Sequence, residues 1–243
     1  MADSLLRVRN LVQSFGSRLV LDRLDFEVRA GSFVSVIGPS GCGKTVLLRT
    51  IAGLERPKSG QILIDGRSEP GSTSVGVAFQ DSSLIPWLTV LENITLCVPS
   101  SGAGRSRKLE LARGLLRETG LTDFESRYPH EMSGGMRQKI NVVRSFASGA
   151  ALLLMDEPFV SLDHFQRRRL QDFTRAFCSD KGKTVLFVTH DIDEAARMAD
   201  RILVFSALPG RIIGDFRTDE ASLRPRVEQL LFNDTEPVHA PDA

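Results

Sequence analysis

Apolar residues in this chain form short continuous runs that alternate with longer segments of helical spacing. Residues 5–36 have the pattern of strands, and the run Phe33–Ile37 is typical of a buried strand. Further strands are predicted at 61–64, 75–79, 152–155, 184–188 and 202–205, and helices at 44–54, 164–180 and 191–199. This order of elements favours an α/β fold with a mostly parallel sheet covered by helices.

The segment from about 85 to 145 has a different pattern. Its leucines occupy helical positions, at Leu109, Leu111, Leu115 and Leu116. We therefore predict a helical insertion there, inside a domain of residues 4–217. The C-terminal segment, 218–243, is predicted to hold one amphipathic helix and a polar tail, because apolar residues recur at Leu223, Val227, Leu230 and Leu231.

The composition is that of an ordinary globular protein. The chain has 243 residues, 42% of them apolar and 25% charged, and a formal net charge of +1. That charge gives no long-range electrostatic field that would favour nucleic-acid binding, but it does not exclude such binding. No apolar run approaches the ~20 residues that cross a bilayer. Three scattered cysteines argue against a disulfide framework or a zinc cluster, and the N-terminus lacks the features of a signal peptide. We expect a cytosolic chain whose membrane contact requires a partner.

A glycine-rich segment follows the strand at 33–37. Residues 38–45 fit the pattern G-x-x-x-x-G-K-[ST], which binds phosphate when a strand precedes it and a helix follows. Glycines let the backbone wrap around phosphate oxygens, Lys44 supplies a charge to the β and γ phosphates, and the Thr45 hydroxyl suits Mg²⁺. The alternative, a plain glycine-rich turn, fits the flanking elements less well. The predicted nucleotide contacts here are Gly38, Pro39, Ser40, Gly41, Cys42, Gly43, Lys44, Thr45 and Val46.

Cys42 has a second possible property. It lies beside a predicted helix N-terminus, where a thiolate is favoured. We predict that alkylation of this thiol blocks hydrolysis and that ATP protects it. The alternative is a small spacer residue without reactivity.

Polar residues follow three of the predicted strands. Ligands of parallel sheets bind at the carboxyl ends of strands, so these residues are candidates for one site. Asp156 is placed to hold Mg²⁺, and Glu157 to take a proton from an attacking water, which contributes ~10²–10⁴-fold to a rate. Gln80 can contact both Mg²⁺ and the helical insertion, and His190 can contact a γ-phosphate. Taken singly, a glutamine or histidine at such a position is more often structural.

With these residues in view, the chain resembles the ATP-binding cassette (ABC) ATPases over nearly its full length. Six motifs stand in that family's order, at 38–45, Gln80, 132–138, Asp156-Glu157, 161–163 and His190. The resemblance implies a P-loop NTPase core, an N-terminal antiparallel β subdomain and a helical subdomain insertion. It also implies an ATPase that uses ATP and Mg²⁺ and acts as a homodimer.

The resemblance assigns further roles. It implies that Phe15 stacks on adenine with Val20 nearby, and that Asp163 lies at the dimer interface. It implies that the nucleotide bound to one subunit is contacted by three residues of the other: Ser133, Gly134 and Gly135. Considered without the family, Ser133 is a helix N-cap and Phe15 a core or edge-strand aromatic. The implied catalytic residues are Lys44, Gln80, Glu157 and His190, and the implied metal ligands are Thr45, Gln80 and Asp156.

A narrower resemblance, to importer ATPases of the nitrate/sulfonate/taurine group, rests on segments 79–93, 128–138, 209–211 and 224–226. It implies a peripheral protein at the cytoplasmic face of the inner membrane, working with a permease and an extracytoplasmic solute-binding protein. A patch of Leu84, Ile85, Trp87 and Leu88 would then dock the permease. One departure from the family is Ile140–Ala147, where an alanine-rich run is usual; it brings in Asn141 and Ser145.

A soluble ABC ATPase acting on nucleic acid is the alternative function. Such proteins carry a second cassette or long coiled-coil heptads, and usually basic arms. This sequence has one phosphate-loop motif and a net charge of +1, so the importer is favoured.

Overall fold

The computed structural model contains two sheets and seven α-helices among the residues that it describes, which are 4–67, 75–80, 84–100, 104–160, 162–220 and 223–235. The strands are β1 (Ser4–Phe15), β2 (Arg18–Arg29), β3 (Phe33–Ile37), β4 (Ser59–Ile64), β5 (Val75–Ala78), β6 (Leu152–Asp156), β7 (Thr184–Thr189), β8 (Arg201–Phe205) and β9 (Ile212–Arg217). The helices are α1 (Lys44–Ile51), α2 (Val90–Cys97), α3 (Arg105–Glu118), α4 (Gly134–Ala147), α5 (His164–Asp180), α6 (Ile192–Met198) and α7 (Leu223–Thr235).

The larger sheet has six strands in the order β5-β6-β7-β3-β8-β9. The first five are parallel neighbours, and β9 runs antiparallel to β8 at one edge. All residues of β3, β6 and β7 are buried. Strands covered on both faces are read in sequence as continuous apolar runs, which is why these three were predictable. The mostly parallel α/β sheet is confirmed.

Successive residues of the central strands enter two different cores. Leu152 and Leu154 pack in one core with α1 and the smaller sheet, whereas Leu153 and Met155 pack in the other with α5, α6 and α7. The smaller sheet is antiparallel, with the strand order β2-β1-β4. Helix α1 therefore lies between the two sheets, and the loop that precedes it is supported from both sides.

A third core joins the helices of the segment from 85 to 145. It contains Ile94 of α2, Leu116 of α3 and Ile140 of α4. Thr89 begins α2 with a capping box: its hydroxyl accepts from the Glu92 N–H at 3.3 Å, and the Glu92 carboxylate accepts from the Thr89 N–H at 2.8 Å. Helix α4 runs on to Ala147 and is followed by β6, so it connects this helical layer directly to the sheet.

Some predicted boundaries differ from the structure. Helix α1 ends at Ile51 and not at 54, because Gly53 has a φ of 74°, which a right-handed helix cannot contain. Strand β9 was not predicted. Helix α7 lies within the predicted segment 218–243, of which residues 221–222 and 236–243 are outside the described part. Across the described residues, no helix is both long enough and apolar enough to cross a membrane.

Candidate nucleotide-binding site

The glycine loop joins the carboxyl end of β3 to the amino end of α1. Gly41 and Gly43 have φ values of 79° and 105°, which favour glycine. A Cβ at Gly43 would lie 2.7 Å from the Leu21 side chain, so close packing also requires glycine here. Gly43 caps α1 without a side-chain hydrogen bond. The first-turn N–H groups of α1 therefore remain suited to bind an anion.

Lys44 is held against this loop. Its ammonium donates to the carbonyl oxygens of Gly38 at 2.7 Å and Pro39 at 2.9 Å. Lys44 is only 6% exposed, and no carboxylate of the described residues forms an ion pair with it. A buried cation that lacks a carboxylate partner is electrostatically suited to a phosphate, as the sequence pattern predicts.

Asp156 ends β6 directly beside α1. Burial raises the pKa of its carboxyl group, while a hydrogen bond from the Thr45 hydroxyl and the charge of Lys44 act in the opposite direction. The carboxylate and hydroxyl oxygens thus lie together next to the phosphate loop. Oxygen ligands of this kind, completed by phosphate and water, are what Mg²⁺ prefers, so the residues fit that ion.

Glu157 and His190 come from neighbouring strands, β6 and β7. Glu157 has a φ of 44°, an unusual value for a non-glycine residue, and its N–H donates to the Val188 carbonyl at 2.9 Å. This turn places its Oε2 atom 3.1 Å from Nδ1 of His190. The structure therefore brings together two residues that the sequence predicted separately.

A cavity of about 660 Å³ contains most of the predicted contacts, and this volume lies within the usual range for small-molecule sites. Phe15 is 50% exposed at its edge, where a base could stack. Arg18 and Leu208 also line the cavity and were not predicted. Arg18 shares a strand face with Val20 two residues later, a spacing that could have indicated it. The lining residues are Phe15, Arg18, Val20, Ser40, Gly41, Gly43, Lys44, Thr45, Val46, Gln80, Glu157 and Leu208.

The predicted contacts Ser133, Gly134 and Gly135 do not line this cavity. Ser133 is the N-cap of α4, and its hydroxyl accepts from the Met136 N–H at 3.3 Å. Asp163 is the N-cap of α5 and accepts from the Gln166 N–H at 2.9 Å. A Cβ at Gly135 would lie 2.4 Å from Oε1 of Gln166, so the two helix starts are in close contact. We call Ser133, Gly134, Gly135 and Asp163 the signature patch.

Gln80 connects the cavity to α4 through the backbone beside it. Gln80 is exposed and lines the cavity, and the preceding Phe79 carbonyl accepts a hydrogen bond from Nδ2 of Asn141 at 2.8 Å. Asn141 is 1% exposed. This residue, one of those that replace the family's alanine-rich run, therefore ties α4 to the segment that carries Gln80.

The segment Leu84–Leu88 is held in a fixed conformation by one side chain. The Asn93 amide donates to the carbonyl oxygens of Ile85 at 3.1 Å and Leu88 at 3.0 Å, and its oxygen accepts from the Ile85 N–H at 2.8 Å. Trp87 is 76% exposed on this segment. A rigid loop that exposes a tryptophan is suited to protein contact.

The predicted thiolate at Cys42 is wrong. The side chain is 1% exposed, and burial raises the pKa of the thiol despite the nearby charge of Lys44. Desolvation disfavours the charged form more than the helix N-terminus and lysine favour it.

The glycine loop, the parallel sheet and the strand-end carboxylates together define a P-loop NTPase. Comparison with known proteins gives its family. The profile of the family described as ABC transporter matches residues 21–160. An ABC transporter ATP-binding protein of Methanocaldococcus jannaschii, itself uncharacterized, is 43% identical over 212 residues, covering 85% of this chain and 79% of the relative.

Two relatives with named transport roles are similarly close. The taurine import ATP-binding protein TauB of Rhizobium johnstonii is 40% identical over 201 residues, covering 82% of this chain and 76% of TauB. The nitrate import ATP-binding protein NrtC of Synechococcus elongatus is 41% identical over 222 residues, covering 88% of this chain and 33% of NrtC. A solved dimeric ATP-binding cassette in a post-hydrolysis state, bound to ADP and Pi, superposes with a TM-score of 0.78 at 26% identity, covering 88% of this chain and 99% of that one.

The chain belongs to the ABC transporter family, and it is an ATPase of that family.

Proposed function

We propose that this chain is the ATP-hydrolysing subunit of an ABC importer, and that two copies enclose two Mg-ATP molecules. One observation carries this proposal: the signature patch and the phosphate-loop cavity are separate places on one chain. A second copy, turned to face the first, can bring its signature patch to the open side of the cavity. The dimeric cassette to which this fold is similar supports that arrangement.

Within each composite site, the residues divide the work. Phe15 and Val20 contact the adenine, and the loop 38–46 with its Lys44 binds the phosphates. The γ-phosphate is also contacted by three residues of the other copy, Ser133, Gly134 and Gly135. Thr45, Gln80 and Asp156 would hold Mg²⁺, which neutralises charge on the phosphates when it is bound. Asp163 shapes the interface between the copies.

Hydrolysis needs a base beside the γ-phosphate. Glu157 takes a proton from the water that attacks the γ-phosphorus, and the bond between that phosphorus and the ADP oxygen breaks. His190 holds the Glu157 carboxylate through the 3.1 Å contact and reaches toward the γ-phosphate. The Glu157 carboxylate and the His190 imidazole are thus within hydrogen-bonding distance of each other.

Transport requires a permease, and Leu84, Ile85, Trp87 and Leu88 form its docking patch. We assign residues 4–217 to the ATPase domain, about 85–145 to its helical insertion, and 218–243 to a C-terminal helix and tail. The taurine and nitrate import relatives support uptake of a small anionic solute, delivered by an extracytoplasmic solute-binding protein. The chain would then lie at the cytoplasmic face of the inner membrane and bind no nucleic acid.

Capture from the native membrane tests this function. Affinity-tagged wild-type chain should co-purify a polytopic membrane subunit, and Trp87→Glu should lose it while its ATP hydrolysis remains. Leu54→Glu is the matched control, since Leu54 is an apolar side chain exposed by 59% outside the patch. The importer proposal is wrong if the wild-type chain captures no membrane subunit, and the docking patch is wrong if Trp87→Glu captures as much as wild type.

A further inference from the structure

A buried carboxylate, that of Glu194, is hydrogen-bonded to the residue that precedes the candidate catalytic histidine. Glu194 of α6 is 9% exposed, and each of its two oxygens accepts one hydrogen bond. Oε2 accepts from the Thr189 hydroxyl at 2.5 Å, and Oε1 accepts from Nε2 of Gln171 at 2.7 Å. Thr189 and Gln171 are themselves 2% and 5% exposed, so the whole chain of bonds is shielded from water.

The two partners of Glu194 belong to different parts of the candidate site. Thr189 is the last residue of β7 and is bonded covalently to His190. Gln171 lies on α5, the helix that begins at its N-cap Asp163. A single side chain therefore connects the segment that carries His190 to the helix that carries Asp163.

Packing alone does not require a charged group at this position. Ala195 and Met198, at 0% and 1% exposure, already bury α6 against the core. Burial raises the pKa of Glu194, and hydrogen bonds from Thr189 and Gln171 together with the charge of Arg167 oppose that rise. A buried carboxylate that costs free energy and is satisfied by two fixed donors specifies geometry more than it adds stability.

We propose that Glu194 is a positioning residue that couples His190 to Asp163, so that the γ-phosphate contact and the dimer interface change conformation together. The coupling rests on the proposed function, in which His190 faces the γ-phosphate and Asp163 the second copy. A displacement of α5 at the interface would be transmitted through Gln171 and Glu194 to Thr189, and from there to His190 and its Glu157 contact.

Phosphate release by the full chain tests the coupling. Gln171→Met removes the bond to α5 while keeping side-chain length, and should lower kcat about tenfold, which equals ~1.4 kcal/mol of barrier, with the KM for ATP unchanged. Glu194→Gln should rescue: its amide can accept from Thr189 and donate to the Gln171 oxygen once that amide turns over, so kcat should stay within about twofold of wild type.

The melting temperature separates positioning from support. Burial raises the pKa of Glu194 in the folded protein above its value in the unfolded chain. The folding stability linked to this group is therefore present at low pH and is lost as the pH rises through the pKa of the folded state. A neutral amide at neutral pH should therefore leave the melting temperature of Glu194→Gln equal to or above that of wild type. Thr189→Val, which removes the hydroxyl and keeps the shape, provides a second disrupting variant if Gln171→Met does not fold.

Asp172→Asn is the matched control. Asp172 and Arg197 form an exposed ion pair between the same two helices, at 2.5 Å, without contact to Thr189. Wild-type kcat in Gln171→Met would overturn the coupling, as would an equal loss in Asp172→Asn or a fall in ATP affinity that matches the fall in kcat. His190→Ala and Asp163→Ala are measured alongside. If these two variants keep full activity, the proposed function of His190 and Asp163 is wrong. If they lose activity but Gln171→Met keeps it, only the coupling is wrong.

Discussion

The phosphate-loop cavity and the signature patch, which we propose to bind the same nucleotide, are built differently. The cavity lies at the carboxyl ends of parallel strands, where Lys44 and Asp156 are 6% and 3% exposed. The signature patch consists of two helix N-termini whose caps, Ser133 and Asp163, are exposed. Buried charged groups at the sheet edge are preorganised within one chain. The exposed helix ends, in contrast, can contact only a phosphate that is bound to another chain. The contrast explains why one copy holds only half of each proposed site.

The largest expected effect on the cavity comes from replacing its proposed general base, Glu157. Glu157→Gln should lower phosphate release by ~10²–10⁴-fold, because the amide cannot take the proton from water. ATP binding should persist, since Lys44 and the loop are untouched, and gel filtration with ATP and Mg²⁺ should show a dimer. Glu110→Gln, at an exposed ion pair with Arg107, is the control and should behave as wild type. A monomeric Glu157→Gln under these conditions would contradict the enclosed dimer.

Lys44→Ala tests whether the cavity binds phosphate through that cation. Loss of charge-assisted hydrogen bonds of ~1.5–3 kcal/mol should weaken ATP affinity by one to two orders of magnitude in a fluorescent-ATP titration. Lys183→Ala is a matched control, because the Lys183 ammonium also donates to two backbone carbonyls, at 3.0 Å and 2.8 Å, but lies outside the cavity. Equal affinities for Lys44→Ala and wild type would refute the assigned role.

Mixing two inactive variants tests whether the two regions act across copies. Lys44→Ala and Ser133→Arg should each be inactive alone. A heterodimer of the two retains one intact site, built from Lys44 of one copy and Ser133 of the other. Random pairing should therefore restore about a quarter of the wild-type rate of phosphate release. If mixtures at several ratios recover no activity, the sites are not shared between copies.

The smallest expected effect concerns Cys42. Since burial raises the pKa of this thiol, its thiolate fraction at neutral pH is small, and iodoacetamide should leave the hydrolysis rate within about twofold of the untreated protein. Inactivation should become faster only as pH rises above the ordinary thiol range. Mass spectrometry of the treated protein checks the site. Rapid labelling of Cys42 at neutral pH, with loss of activity, would contradict this.

Local sequence was enough to predict some of these features and not others. Strands β6 and β7 were predictable because both faces are buried, which leaves continuous apolar runs. Strand β9 was missed because it lies at the sheet edge, with one buried residue, Phe216, and Gly214 in its middle. Helix α1 was predicted three residues too long because the prediction did not take account of Gly53, whose positive φ is incompatible with a continued right-handed helix.

The phosphate loop and the strand-end carboxylates could be predicted because their chemistry depends on neighbours in sequence and on one general rule about strand ends. Residues whose partners are distant in sequence were out of reach. Asn141, for example, reaches the Phe79 carbonyl across 62 residues, whereas Arg18 could have been inferred from Val20 because the two lie on one strand face. The state of Cys42 was also decided by folding, since its burial outweighs the helix end beside it.

The amino-acid order was therefore sufficient to specify the chemical groups that depend on local backbone structure. These are a loop that requires glycine, a cation at the start of a helix, and carboxylates that follow apolar strands. Tertiary structure alone decided which side chains meet. The contact of Glu157 with His190 depends on β6 and β7 being neighbours in the sheet. The separation of the signature patch from the cavity, and the bonds of Glu194 to Thr189 and Gln171, depend on how the helices pack. Local patterns specify elements, but hydrogen bonds between elements form only where packing brings their ends together.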